Sequence, residues 1–90
     1  MERKIFKYEL EIMDSQLLMI PSGAEILTVQ TQSELPKLWA LCDPEQIKEA
    51  RTICIFGTGN PIPEGNFKYI STFQLMGGIA VFHVFENINP

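Results

Sequence analysis

Three short neighbourhoods and Arg51 hold the residues of this chain that could do chemistry. The first neighbourhood is GTGNPIP, residues 57 to 63, where two glycines precede two prolines. Glycine-rich loops hold phosphates when successive backbone N–H groups point at the anion from the start of a helix. Here Pro61 and Pro63 carry no N–H, the following NFKYIST alternates like a strand, and the third glycine of a dinucleotide fingerprint falls on Ile62. The stretch therefore reads either as a chain reversal, with Gly57 and Gly59 supplying unusual backbone angles, or as a stiff loop presenting Thr58, Asn60 and a few amides to a ligand.

The second neighbourhood surrounds the only histidine, His83, in STFQLMGGIAVFHVFE. Gly77-Gly78 between two apolar runs predicts a two-residue type I′ hairpin in which Met76 pairs with Ile79. That register sets Gln74 opposite Val81, Thr72 opposite His83 and Ile70 opposite Phe85 on one side. Leu75–Ala80, Phe73–Phe82 and Ser71–Val84 then share the other side, the expected core. The first side mixes Thr72, Gln74 and His83 with Ile70, Ile79, Val81 and Phe85, too apolar a set to face water alone. It is covered by a second small core in which His83 bonds Thr72 or Gln74, by another subunit, or by a small molecule.

Lys37 and Trp39 form the third neighbourhood. They alternate onto one strand face, where the indole either packs into a core or stacks on a ring with the ammonium beside a phosphate. Arg51 follows an expected helix and either balances its C-terminus or reaches an anionic ligand. Cys42 and Cys54 lie in apolar runs and read as small hydrophobes, and one histidine without CxxC spacing predicts no metal site. With no nucleophile elbow, no HExxH and no carboxylates forced together by spacing, neither an enzyme nor a cofactor is expected.

The elements that must position these residues are mostly strands. KIFKYELEI puts Phe6, Tyr8, Leu10 and Ile12 on one face, and QLLMI, AEILTVQTQ and KLWALC follow as short runs between Pro, Ser and Gly breaks. DPEQIKEA, residues 43 to 50, has an aspartate N-cap, proline at the first helical position and glutamine three residues after the cap, which predicts about two turns of helix. RTICIFG, FKYISTFQLM and IAVFHVFE bring the total to about seven strands. Connections this short leave no room for parallel crossovers. The expected fold is all-β with one short helix, an antiparallel, meander-like small barrel or sandwich forming a single domain over residues 1–90.

Composition narrows the partners. Hydrophobic residues make up 46% and charged residues 20% of the 90, the balance of a globular domain. The 7 basic and 11 acidic side chains leave a net charge of −4, which disfavours nucleic acid. No apolar run is long enough for a membrane helix, and MERKIFKYELEI lacks the apolar core of a signal peptide, so a cytoplasmic protein with no membrane partner is expected.

Four separated segments, IPSGAEILTVQTQ, LWALCDP, GTGNPIP and YISTFQLMGGIAVFHVFE, carry a family likeness in order along nearly the whole chain. The sequence resembles a family of small proteins encoded mainly by tailed bacteriophages and prophages and grouped as a domain of unknown function. That resemblance implies a phage accessory protein in the cytoplasm of a bacterial host, and it brings no catalytic residues. Accessory proteins of this size often counter bacterial defence without catalysis, by sequestering a nucleotide signal or by masking a host protein. The expectation is therefore a non-enzymatic, oligomeric binding protein that captures a small anionic, nucleotide-like ligand with the Thr72, Gln74 and His83 face or the 57–63 loop, Lys37, Trp39 and Arg51 being further candidates. The alternative is a protein-interaction module that inhibits a host protein by direct binding.

Overall fold

The computed structural model describes residues 2–89. Each alternating or apolar run forms a strand: β1 (Lys4–Glu9), β2 (Gln16–Pro21), β3 (Glu25–Gln32), β4 (Leu35–Cys42), β5 (Lys48–Gly57), β6 (Phe67–Leu75) and β7 (Ala80–Asn87). They build two antiparallel sheets, ordered β1-β4-β3 and β2-β5-β7-β6. Both sheets are open, so the molecule is a sandwich and not a closed barrel. Its smallest dimension of 16 Å suits two layers about 10 Å apart. The pairing of sequence neighbours that a meander requires survives only in the β3–β4 and β6–β7 hairpins, because the chain passes between sheets at β1–β2, β2–β3 and β4–β5 and β7 inserts between β5 and β6.

The core lies between the layers. Val29 and Leu38 from one sheet meet Ile20, Ile53 and Val84 from the other, all fully buried. Phe6 and Tyr8 pack against this core as alternation requires, whereas β1 ends at Glu9 and Ile12 lies outside it, exposed. Burial together with the Cys42 thiol, 3.9 Å from its hydroxyl, pushes the Tyr8 phenol up to about 12.

No helix forms over residues 43–50. Asp43 instead opens a tight turn: the Gln46 N–H donates to the Asp43 carbonyl at 3.2 Å and the Glu45 N–H to Asp43 Oδ1 at 3.1 Å. Aspartate followed by proline starts a type I turn as readily as a helix. From Lys48 onward the chain pairs with β2 and, from Thr52, also with β7, and these ladders outweigh two turns of isolated helix. Arg51 is consequently a strand residue.

The β6–β7 hairpin keeps the expected register from Leu75–Ala80 to Ser71–Val84. Gly77 at φ 65° and Gly78 at φ 96° take the left-handed angles of a type I′ turn, and the Ile79 N–H reaches the Met76 carbonyl at 3.3 Å. Met76 is itself left-handed at φ 51°, so the ladder closes one pair before the Met76–Ile79 pairing that the two glycines predict. A second departure is a bulge at Ile70. It pairs Phe85 with Tyr69 and turns Ile70 inward, onto the core and away from the His83 side.

Candidate functional site

The outward face of the four-stranded sheet carries five of the residues singled out by sequence. His83 is held at both ring nitrogens, by Thr58 Oγ1 at 2.7 Å from Nε2 and by Thr72 Oγ1 at 3.0 Å from Nδ1. The Tyr69 hydroxyl extends the chain to Thr72 Oγ1 at 2.7 Å. A neutral imidazole donates at one nitrogen and accepts at the other, so its hydrogen-bonding capacity is filled by these two hydroxyls. The Thr72–His83 pairing is the one alternation predicts, and Thr58 joins because the 57–60 turn folds back on β7, its N–H donating to the Val81 carbonyl at 3.1 Å. Within that turn the Asn60 N–H reaches the Gly57 carbonyl at 3.1 Å, and Gly59 sits at φ 87°. A Cβ on Gly57 would stand 3.0 Å from Asn60 Nδ2. GTGN is thus a chain reversal that delivers one hydroxyl to His83. Gln74 stands exposed beside the hairpin turn.

Beneath this polar end the same face is aromatic. Phe56, Phe67 and Phe85 contact one another with ring centroids 6.0 to 6.2 Å apart, and Tyr69 meets Phe85 at 5.6 Å. Burial pushes the Cys54 thiol up, as befits an inert small hydrophobe.

Lys37 and Trp39 lie on the opposite outer layer. Lys37 is only 7% exposed on β4, and its ammonium donates to Glu9 Oε1 at 2.9 Å, while Trp39 is half-buried between Lys7 and Thr28 in the register. Neither reaches His83 across the sandwich.

Arg51 occupies a third place, between the layers. Its Nε and Nη2 donate to the two oxygens of Glu86, Nη2 at 3.0 Å, and its Nη1 donates to the Ala24 carbonyl at 2.9 Å. Hydrogen bonding to Glu86 raises the Arg51 pKa despite burial, keeping the guanidinium charged. The helix-end role expected of Arg51 disappears with the helix.

This ion pair floors a cleft. β3 and β6 are adjoining edges of the two sheets, bridged where Ser71 Oγ donates to the Val29 carbonyl at 2.6 Å. Towards Arg51 each strand carries a bulge, at Leu27 in β3 and at Ile70 in β6, and the edges part. The resulting hollow of ≈ 340 Å³ is lined by residues 23–27 and 68–70 with Arg51 and Glu86. A second hollow of ≈ 260 Å³ lies across the ion pair, lined in part by Glu49 and Asn87. Three of the five guanidinium N–H groups are engaged and two remain. Lys68 at the rim forms no ion pair among the described residues.

Glu86, Lys68 and the bulges escaped sequence reasoning, although one signal was present. Alternation from Phe82 and Val84 puts Glu86 on the core side, as alternation from Ile55 and Ile53 puts Arg51 there. Two opposite charges on inward positions of two apolar strands require each other.

Fold and cleft together define a small two-layer antiparallel sandwich with an ion-paired opening between its sheets. The chain belongs to the family described as a domain of unknown function (DUF7352), which matches residues 1–90. No curated protein and no solved structure matches it.

Proposed function

We propose that this chain is a non-enzymatic binding protein that takes up a small anionic, nucleotide-like ligand in the cleft between the β3 and β6 edges. The observation that carries the reading is the pair of facing bulges, which hold two strand edges apart over an oriented guanidinium. Glu86 and the Ala24 carbonyl fix Arg51 in advance, so little side-chain freedom is lost on binding. Its two remaining N–H groups and the Lys68 ammonium suit phosphate or carboxylate oxygens, while Ile26 and Ile70 add apolar wall. The role as a phage accessory protein countering defence in the bacterial cytoplasm, implied by the resemblance, is the setting of this proposal. Lys37 and the His83 hydroxyl chain take no part in it, since their polar groups are committed elsewhere, and Trp39 lies on the outer layer of the three-stranded sheet, away from the cleft.

Thermal unfolding in the presence of cyclic dinucleotides and ADP-ribose derivatives tests the reading. A ligand at about 100 times its Kd adds about 2.7 kcal/mol of stability. Lys68→Gln, at an exposed position, is expected to remove most of the shift while the unliganded protein unfolds as before. Arg51 variants inform less, because an unpaired Glu86 destabilises the fold by itself. A panel with no shift, or a shift unchanged by Lys68→Gln, sinks the reading.

A further inference from the structure

Two open sheets leave four strand edges, and three of them are guarded against a further strand. β3 and β6 adjoin each other and are bridged by the Ser71–Val29 hydrogen bond. β1 carries Lys4, Lys7 and Glu9, half of its six residues, and charge along an edge keeps another strand away. β2 has no such device. Gln16–Pro21 reads QLLMIP without a charge, its register with β5 runs without a bulge, and the missing N–H of Pro21 affects only the last position. Among the described residues β5 is the one strand paired with β2. Along its other side β2 therefore presents backbone N–H and C=O groups with no strand against them. An edge, unlike a face, specifies what closes it, because only an extended backbone offers donors and acceptors at strand spacing.

We infer that β2 pairs antiparallel with β2 of a second copy of this chain, joining two four-stranded sheets edge to edge. Edge charges and bulges work against the association of a chain with its own copies, and β2 is the edge from which they are missing. The strand also complements itself. A two-fold axis at Leu18 sets Leu17 of each copy opposite Met19 of the other on the outer face, and Gln16 opposite Ile20 on the core side, with no charge between them. Leu18, half-buried at the rim of the core, meets its own image. Because both copies use the same edge, the contact closes. What stays open in the dimer is the charged β1 edge, so no third copy adds. The contact is separate from the ligand proposed for the cleft, since no β2 residue lines either hollow.

Sedimentation equilibrium over a concentration series reaching the sub-millimolar range tests the inference. Strand addition buries little area, so the full chain is expected to move from 10.2 kDa towards twice that mass as concentration rises. Leu17→Lys combined with Met19→Lys, both at exposed positions, sets like charges opposite each other across the axis. This variant should be a monomer with an unchanged far-ultraviolet circular dichroism spectrum. Leu17→Lys combined with Met19→Glu sets opposite charges against each other at the same two places and should restore the dimer. Ile5→Lys, exposed on β1, should leave the association unchanged. A wild type that stays monomeric overturns the proposal, as does a dimer that persists in the first double variant or is lost with Ile5→Lys. A second double variant that stays monomeric overturns it too, because the contact would then rest on apolar side chains of the outer face and not on paired β2 edges.

Discussion

The two outward faces of this sandwich arise from the same strand alternation and meet water in different ways. Over the three-stranded sheet, Lys7, Glu9, Glu25 and Lys37 surround Trp39 and Leu41. Lys37 lays its stem against apolar surface and puts its ammonium on Glu9, and Lys7 donates to Gln32 Oε1 at 2.8 Å. Over the four-stranded sheet the outward strand residues lack charge, and rings cover one another: Phe56 is buried under Phe67 and Phe85, while Leu17 and Met19 stay in water. A sheet apolar on both sides can thus be finished by the stems of charged residues or by aromatic packing.

Four substitutions break or sharpen that contrast. Phe56→Ala removes a buried ring from the middle of the uncharged face and is expected to cost about 3–4 kcal/mol in urea unfolding. Trp39→Ala, on a half-buried ring of the charged face, should cost clearly less, and equal losses would mean that the faces are packed alike. His83→Ala severs the hydroxyl chain at a partly exposed position and should cost about 1 kcal/mol with the fold intact. A loss of several kcal/mol would instead make His83 part of the core. The smallest effect concerns acid. Hydrogen bonding and charge from Lys37 hold the exposed Glu9 carboxyl below the usual carboxylate range. Because the folded value lies below the unfolded one, this contribution is in place above the unfolded pKa and is lost as pH falls through the folded one. Lys37→Met should return the Glu9 midpoint in a carboxyl NMR titration to the ordinary range, and an unmoved midpoint would show that Lys37 does not set it.

Alternation and turn chemistry made most of the fold legible. KIFKYE and FKYISTFQL state their faces, and the glycine pair fixed the register that brings Thr72 to His83. The 43–50 segment misled because aspartate, proline and glutamine begin a turn and a helix alike, and only the partners β2 and β7 decide between them. The bulges at Leu27 and Ile70 have no local signature, since neither is a glycine. They arise where two twisted sheets adjoin along their edges, and they carry the cleft. For the same reason the candidate residues scatter: Lys37 and Trp39 to one outer face, Arg51 between the layers, and Thr58, Asn60, Thr72, Gln74 and His83 to the other.

Local spacing by itself determined that this chain is built mainly of strands, which side of most of them faces the core, and that the stretch from Gly57 to Pro63 lacks the successive N–H groups and the following helix of a phosphate loop. Those properties follow from a period of two and from missing N–H groups, which neighbours in sequence suffice to set. The tertiary structure alone decided that Arg51 faces Glu86, that β3 and β6 part above them, and that one broad face is left without charge. Each of these depends on which distant strands lie side by side, and that choice is made by the burial of the whole core at once.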